Sequence, residues 1–227
     1  WFNQNKPNVV VLAAAKVGGI LANNSYPYDF LLENLKINTN VIESSFKNKT
    51  KRLLFLGSSC IYPKFADQPI KEESLLKGSL EPTNDCYAIA KITGIKLCNA
   101  LRKQYNFDAI SLMPTNLYGP GDNYHANNSH VIPGLINKFH YAKQNNIDFV
   151  DCWGTGNPMR EFLHVNDLGS ACVFALENWD PNAKNAPIDK NNNPLQILNV
   201  GTGKDISIKR LAEIISEIIG YKGQINW

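Results

Sequence analysis

The sequence predicts an α/β fold built on a mostly parallel sheet. Two apolar runs carry this reading, VVVLAAA over Val9 to Ala15 and RLLFL over Arg52 to Leu56, the second closed by Gly57, Ser58 and Ser59. Runs without polar alternation mark strands buried on both faces, as in parallel sheets. The third observation is that such runs alternate with stretches of helical period, the pattern of strand-helix-strand units.

In chain order, a polar loop after Ala15 leads to a predicted helix from about Pro27 to Lys47. Leu31, Leu35, Val41, Ile42 and Phe46 recur there at helical spacing. The strand at Arg52 to Leu56 precedes a long loop holding Pro63, Pro69, Gly78 and Pro82. Thr83 to Tyr105 reads as helix and Ala109 to Met113 as strand. Pro114 to Asn128 is rich in Pro, Gly and Asn and reads as loop. His130 to Asn145 has helical character, and Phe149 to Trp153 is a short strand. Asn166 is a suitable N-cap for a helix over Asp167 to Glu177. The Asn-rich stretch Trp179 to Pro194 reads as a flexible insertion. Ile197 to Val200 is a strand, and Ser207 opens a helix with Leu211, Ile214, Ile215, Ile218 and Ile219 on its buried side. There are no internal repeats.

The chain has 227 residues, enough for one large α/β domain or a domain with a small lobe. With 23 basic and 20 acidic residues, scattered rather than clustered, it lacks the charge footprint of a nucleic-acid or membrane-surface protein. Val9 to Ala22 is too short and too broken by Lys16 and glycines to span a bilayer. The five cysteines, Cys60, Cys86, Cys98, Cys152 and Cys172, have neither disulfide-framework nor zinc spacing, so a reducing cytoplasm and no metal are expected. No signal peptide pattern opens the chain. A start on Trp1 reads as a fragment.

The main chemical signal is YAIAK, Tyr87 to Lys91. Tyr and Lys four apart share a helix face. An ammonium beside a phenol favours phenolate, lowering a pKa whose reference is about 10, which suits proton donation to a carbonyl oxygen as hydride reaches its carbon. Alone, such a pair also fits a solvated helix face. Ser58 and Ser59 stand where a buried strand ends, the place where open α/β sheets bind ligands, although paired serines also serve as turn residues.

The order of strand-GSS, YxxxK and PTNLYGP (Pro114 to Pro120) resembles the extended short-chain dehydrogenase/reductases that act on nucleotide sugars. LGSSCIYP (Leu56 to Pro63), EPTN (Glu81 to Asn84), YAIAKITGIKLC (Tyr87 to Cys98), MPTNLYGPGDN (Met113 to Asn123), NSHVIP (Asn128 to Pro133), WGTGNPMREFLHV (Trp153 to Val165), NVGTG (Asn199 to Gly203) and AAAKVGGI (Ala13 to Ile20) resemble the branch that epimerises and reduces GDP-4-keto-6-deoxy-mannose. The resemblance runs along almost the whole chain.

It implies a Rossmann-type doubly wound sheet over residues 1–117, truncated at its N-terminus, that binds NADP(H). It further implies a smaller substrate-binding lobe over 118–227, with about 147–178 partly returning to the sheet. The implied reaction inverts carbons 3 and 5 and then reduces carbon 4 with NADPH, giving GDP-L-fucose. The implied catalytic residues are Ser58, Cys60 (base), Tyr87 (proton donor), Lys91 and His130 (acid). The implied cofactor contacts are Leu56, Gly57, Ser58, Ser59, Lys91, Pro114, Thr115, Asn116, Leu117 and His130. Substrate contacts fall on Lys138, Trp153 and Arg160: two cations able to neutralise a pyrophosphate, and a flat indole. The resemblance also implies a GDP-sugar substrate and a homodimer paired through the helices at about 27–47 and 83–105.

Other residues receive plainer readings. His164 and Asp167 in HVND read as helix entry and capping, and the remaining cysteines as packing residues. No GxxGxxG or GxGxxG occurs; the family places that fingerprint, and the residues that choose NADP over NAD, upstream of Trp1. The fragment is therefore expected to be inactive alone. Two alternatives stand beside this reading: another nucleotide-sugar epimerase or dehydratase of the same superfamily, or a non-catalytic nucleotide-sugar-binding homologue.

Overall fold

The computed structural model describes residues 1–125 and 128–227. Residues 126 and 127 of the expected 114–128 loop lie outside the described residues. The chain divides into two compact units, 1–17, 23–115 and 166–200 in the first and 18–22, 116–165 and 201–227 in the second.

In chain order the elements are α1 (Phe2–Asn5), β1 (Val9–Leu12), α2 (Ile20–Ser25), α3 (Pro27–Lys47), β2 (Arg52–Leu56), α4 (Asp85–Tyr105), β3 (Ala109–Pro114) and β4 (Asn116–Tyr118). They continue with α5 (Val131–Gln144), β5 (Phe149–Asp151), β6 (Met159–His164), α6 (Val165–Asn178), β7 (Ile197–Val200), β8 (Asp205–Ser207), α7 (Ile208–Ile219) and β9 (Gln224–Asn226).

The first unit holds a four-stranded sheet in the order β1-β2-β3-β7, parallel throughout. Leu53, Leu54 and Phe55 of β2 are fully buried, as their unbroken apolar run requires. Arg52 anchors the start of β2 by donating to the Leu176 carbonyl at 2.6 Å and pairing with Asp108 at 3.1 Å. β2 and β3 therefore start from a fixed point, and Leu56 at the end of β2 pairs with Leu112, two residues before β3 ends at Pro114.

Helix α3 differs from the expected stripe. Its buried residues are Phe30, Asn34, Asn38, Ile42 and Ser45, while Leu31, Leu35 and Val41 are only half-buried. Two buried asparagines are tolerated because they are hydrogen-bonded. The Asn34 side chain accepts from the Lys16 amide at 2.9 Å and donates to the Lys16 and Phe30 carbonyls. The Asn38 amide donates to the Ala90 carbonyl at 2.9 Å, which fixes α3 to the Tyr87–Lys91 stretch of α4.

The second unit pairs β4 and β6 in parallel and β6 with β8 antiparallel, and pairs β5 with β9. Helices α5 and α7 pack through Leu135, Phe139, Ala142, Leu211, Ala212 and Ile215. Ser207 caps α7, its hydroxyl accepting from the Arg210 amide, as expected. Ile218 is 80% exposed, contrary to the sequence expectation. The buried arc of α7 runs through Leu211, Ala212, Ile215 and Ser216, and Ile218 falls just outside it in the last turn. Strand β6 was not visible in the sequence because MREFLH neither alternates nor forms an apolar run. Among the described residues no helix is long and apolar enough to cross a membrane.

Helix α4 rests on β2 through Gly94, where a Cβ would enter the Phe55 ring. Gly94→Ala should therefore destabilise the protein by about 2 kcal/mol in urea unfolding, although Ala is the better helix former by about 1 kcal/mol. Unchanged or raised stability would contradict this close packing.

Candidate active site

The site in the first unit is assembled where β2 ends and α4 begins. After Leu56 and Gly57 the chain turns into a 3-10 helix at Ser59–Ile61, capped by Ser58, whose hydroxyl accepts from the Cys60 amide at 3.3 Å. This turn holds Ser58 and Cys60 beside the first turns of α4. There Ser58 hydrogen-bonds Tyr87, and Tyr87 feels the charge of Cys60. Asn84, at the N-cap of α4, donates its amide to the Cys60 sulfur at 3.3 Å.

Lys91 lies one turn further along α4 and is 2% exposed. Its ammonium donates to the Leu56 carbonyl at 2.8 Å and sits over the Phe55 ring, 5.1 Å from the centroid. It lies 5.8 Å from the centroid of the Tyr87 ring. Ser58, Cys60, Tyr87 and Lys91 are thus brought together in the structure.

The electrostatics differ from the sequence expectation. Burial pushes the Tyr87 phenol well above its ordinary range, the Cys60 charge pushes it further, and the Ser58 hydrogen bond pulls it only partly back. Burial lowers Lys91 to about 8. The expected lowering of the Tyr by the Lys is absent because the ammonium faces the ring and is engaged with Leu56, while burial penalises both ions. The resting state is therefore a phenol, a firm proton holder, rather than a partly ionised Tyr.

Of the remaining expected cofactor contacts, Pro114 ends β3 and the Thr115 amide donates to the Val200 carbonyl at 3.1 Å. Asn116 and Leu117 belong to β4 in the second unit, where the Asn116 side chain donates to the Glu161 carbonyl at 2.9 Å. His130 is exposed and is the N-cap of α5. Two expected substrate residues meet: the Lys138 ammonium donates to the Asp151 carbonyl at 2.9 Å and lies 4.9 Å from the centroid of the Trp153 ring. Trp153 is 69% exposed. Arg160 is an exposed β6 residue whose guanidinium donates to the Met159 carbonyl at 2.8 Å. His164 stacks edge-on against Tyr118, with ring centroids 5.3 Å apart.

Sequence reasoning missed two groups. Asn84 lay within the EPTN block without a role; its one signal was its place at the start of the YxxxK helix. Tyr62, two residues after Cys60, donates its hydroxyl to Asn199 at 2.5 Å, and Asn199 in turn donates its side-chain amide to the Ile70 carbonyl and its backbone amide to Glu72. This network ties the segment after Cys60 to β7. No local sequence feature announces it, because its partners are far apart in the chain.

The NAD dependent epimerase/dehydratase family matches residues 1–191, and the chain belongs to that family. Within it, the chain is 56% identical over its whole length to GDP-L-fucose synthase 1 of Arabidopsis thaliana, spanning 66% of that protein. It is 51% identical to the GDP-L-fucose synthase of Escherichia coli K12, over 99% of this chain and 69% of that enzyme. Among solved structures it resembles a GDP-D-glycero-L-gluco-heptose synthase of Campylobacter jejuni determined in the presence of NADPH. There the TM-score is 0.90 and the identity 34%, over 99% of this chain and 74% of that one. The chain thus spans about two thirds of the length of its curated relatives.

The buried Lys91 has a measurable consequence. Its pKa falls from 10.5 to about 8 on folding. Between those values the unfolded chain holds a proton that the folded chain lacks, so its contribution to stability rises with pH, complete above 10.5 and lost as pH falls through 8. Lys91→Met should remove that penalty, about 3 kcal/mol at pH 7, while leaving the Leu56 carbonyl without its donor at a cost of about 1–3 kcal/mol, so the net gain at pH 7 should be small. The gain should shrink toward pH 10 in denaturant titrations; a gain independent of pH would contradict the burial of a charged Lys91.

Proposed function

We propose that this protein acts as a GDP-L-fucose synthase, epimerising GDP-4-keto-6-deoxy-mannose at carbons 3 and 5 and reducing it at carbon 4 with NADPH. The observation that carries the reading is Cys60 held beside Ser58 and Tyr87 at one strand end. A simple carbonyl reductase needs the Ser, Tyr and Lys; it has no use for a thiol there. The 51–56% identity to proteins named GDP-L-fucose synthase supports the same substrate.

The first unit takes the cofactor role, through Leu56 to Ser59, Lys91, Pro114 and Thr115. Lys91 fits this role: an ammonium has three donors, and the Leu56 carbonyl takes one, leaving capacity for ribose hydroxyls. The second unit takes the substrate role. Lys138 and Arg160 face the diphosphate, and Trp153 offers its indole face.

In the epimerase stage the Cys60 thiolate takes a proton from a carbon next to the C4 carbonyl. The C–H bond breaks, an S–H bond forms and the electron pair moves onto O4, where the Ser58 and Tyr87 hydroxyls hold the enolate. His130 returns a proton to the opposite face, which inverts the carbon; solvent restores the thiolate and the imidazolium, and the cycle repeats at the second carbon. When bound, NADPH supplies hydride to C4. Tyr87 then gives its proton to O4, and the Lys91 ammonium steadies the phenolate left behind. A Tyr held protonated by burial gives up its proton only as alkoxide charge develops on O4. The same reading includes the homodimer through α3 and α4 and the cytoplasmic location.

The test is to run the full-length protein with GDP-4-keto-6-deoxy-mannose and NADPH in deuterium oxide. Consumption of NADPH with GDP-L-fucose carrying deuterium at carbons 3 and 5 is expected. Cys60→Ser should slow formation of that product by at least about 100-fold. A GDP-6-deoxy sugar of unchanged ring stereochemistry and free of deuterium would make the protein a plain 4-reductase and remove the roles of Cys60 and His130.

A further inference from the structure

We propose that Asn84 is a positioning residue that holds the Cys60 sulfur for proton abstraction by donating its side-chain amide to it. The proposal rests on the reading of Cys60 as the base.

Asparagine at an N-cap ordinarily turns its side-chain oxygen onto the exposed amides of the first helical turn. Asn84 does not: it stands at the N-cap of α4 and makes no side-chain cap bond. Its nitrogen instead lies 3.3 Å from the Cys60 sulfur. Its oxygen Oδ1 is buried and has no hydrogen-bond partner among the described residues. Leaving a buried acceptor unpaired costs about 1–3 kcal/mol, and a cap bond to the same oxygen would avoid that loss. A side chain serving only the helix would rotate to make it. The orientation seen suits an anionic sulfur, which attracts an N–H and repels an amide oxygen.

The backbone around Asn84 is fixed independently. Its amide donates to the Glu81 carbonyl at 3.1 Å, and its own carbonyl accepts from the Ala88 amide at 3.0 Å. Cys60 is then held at two points, its backbone amide by Ser58 and its sulfur by Asn84. Tyr87 of α4 interacts with Cys60. Since Asn84 opens the helix that carries Tyr87 and Lys91, one rigid element sets the geometry of the base, of the proton donor and of its cation.

The test uses the full-length protein and the variants Asn84→Ala and Asn84→Asp, the latter isosteric but without the amide donor. Two quantities are read. The first is the pH profile of Cys60 alkylation by iodoacetamide, followed on the Cys60 peptide by mass spectrometry. The second is deuterium exchange into GDP-4-keto-6-deoxy-mannose at carbons 3 and 5. Both variants should move the alkylation profile to higher pH by about one unit, more for Asp. Exchange at pH 7 should fall roughly tenfold or more and recover partly as pH rises. A merely structural role would lower exchange without moving the profile. A folded Asn84→Ala or Asn84→Asp protein with the parent's alkylation profile overturns the proposal; should the Ala variant fail to fold, the isosteric Asp variant decides. Undiminished exchange in Cys60→Ser would instead remove the base assignment, and is told apart because the alkylation profile would still respond to Asn84.

Discussion

The hydrogen bond from the Lys91 ammonium to the Leu56 carbonyl is the contact on which the site depends. It joins the second turn of α4 to the last residue of β2 through a lysine that is itself buried. The strand end, and with it Ser58 and Cys60, is thereby registered against the helix turn that carries Tyr87. Gly94 permits the approach by leaving room for the Phe55 ring, and Asn38 fixes α3 against the same stretch at Ala90. The cluster of Ser58, Cys60, Tyr87 and Lys91 is a consequence of how one helix is stitched to one strand.

That arrangement has a thermodynamic cost. Among the described residues a lysine is buried without a carboxylate and an asparagine oxygen is left unpaired, and a phenol is kept far from ionisation. Natural folds accept such penalties where charge must be ready for a reaction. In the proposed reaction the two penalties of the Tyr-Lys pair serve one end: Tyr87 keeps its proton while Cys60 acts as base, and Lys91 stands by the ring for the moment the phenolate forms.

Much of the fold was legible because parallel strands announce themselves. RLLFL over Arg52 to Leu56 falls where its unbroken apolar run puts it, Ile197 to Val200 is a strand as read, and Pro27 to Lys47 is helical as read. The face of α3 was not legible. Its buried positions include Asn34 and Asn38, whose fitness depends on backbone partners remote in sequence. Ile218 misled for a related reason: apolar spacing marks an arc, and the arc's rim is decided by what packs against it. Strand β6 carries its pairing partners in β4 and β8 and nothing in its own composition. In the site, the residue types of YxxxK and SSC were visible, but the sign of the Tyr87 shift was not, since burial outweighs the nearby cation. Asn84 was hidden because an asparagine before a helix has an ordinary capping explanation that only geometry removes.

The central claim is that base and proton donor are separate groups held by one framework. It is tested most directly by Tyr87→Phe in the full-length protein, incubated with GDP-4-keto-6-deoxy-mannose and NADPH in deuterium oxide. NADPH oxidation is expected to fall by about 100-fold or more, while deuterium entry at carbons 3 and 5 through Cys60 persists at a reduced rate, with Ser58 alone holding the enolate. NADPH oxidation at the parent rate would contradict the claim, as would complete loss of exchange in a folded variant.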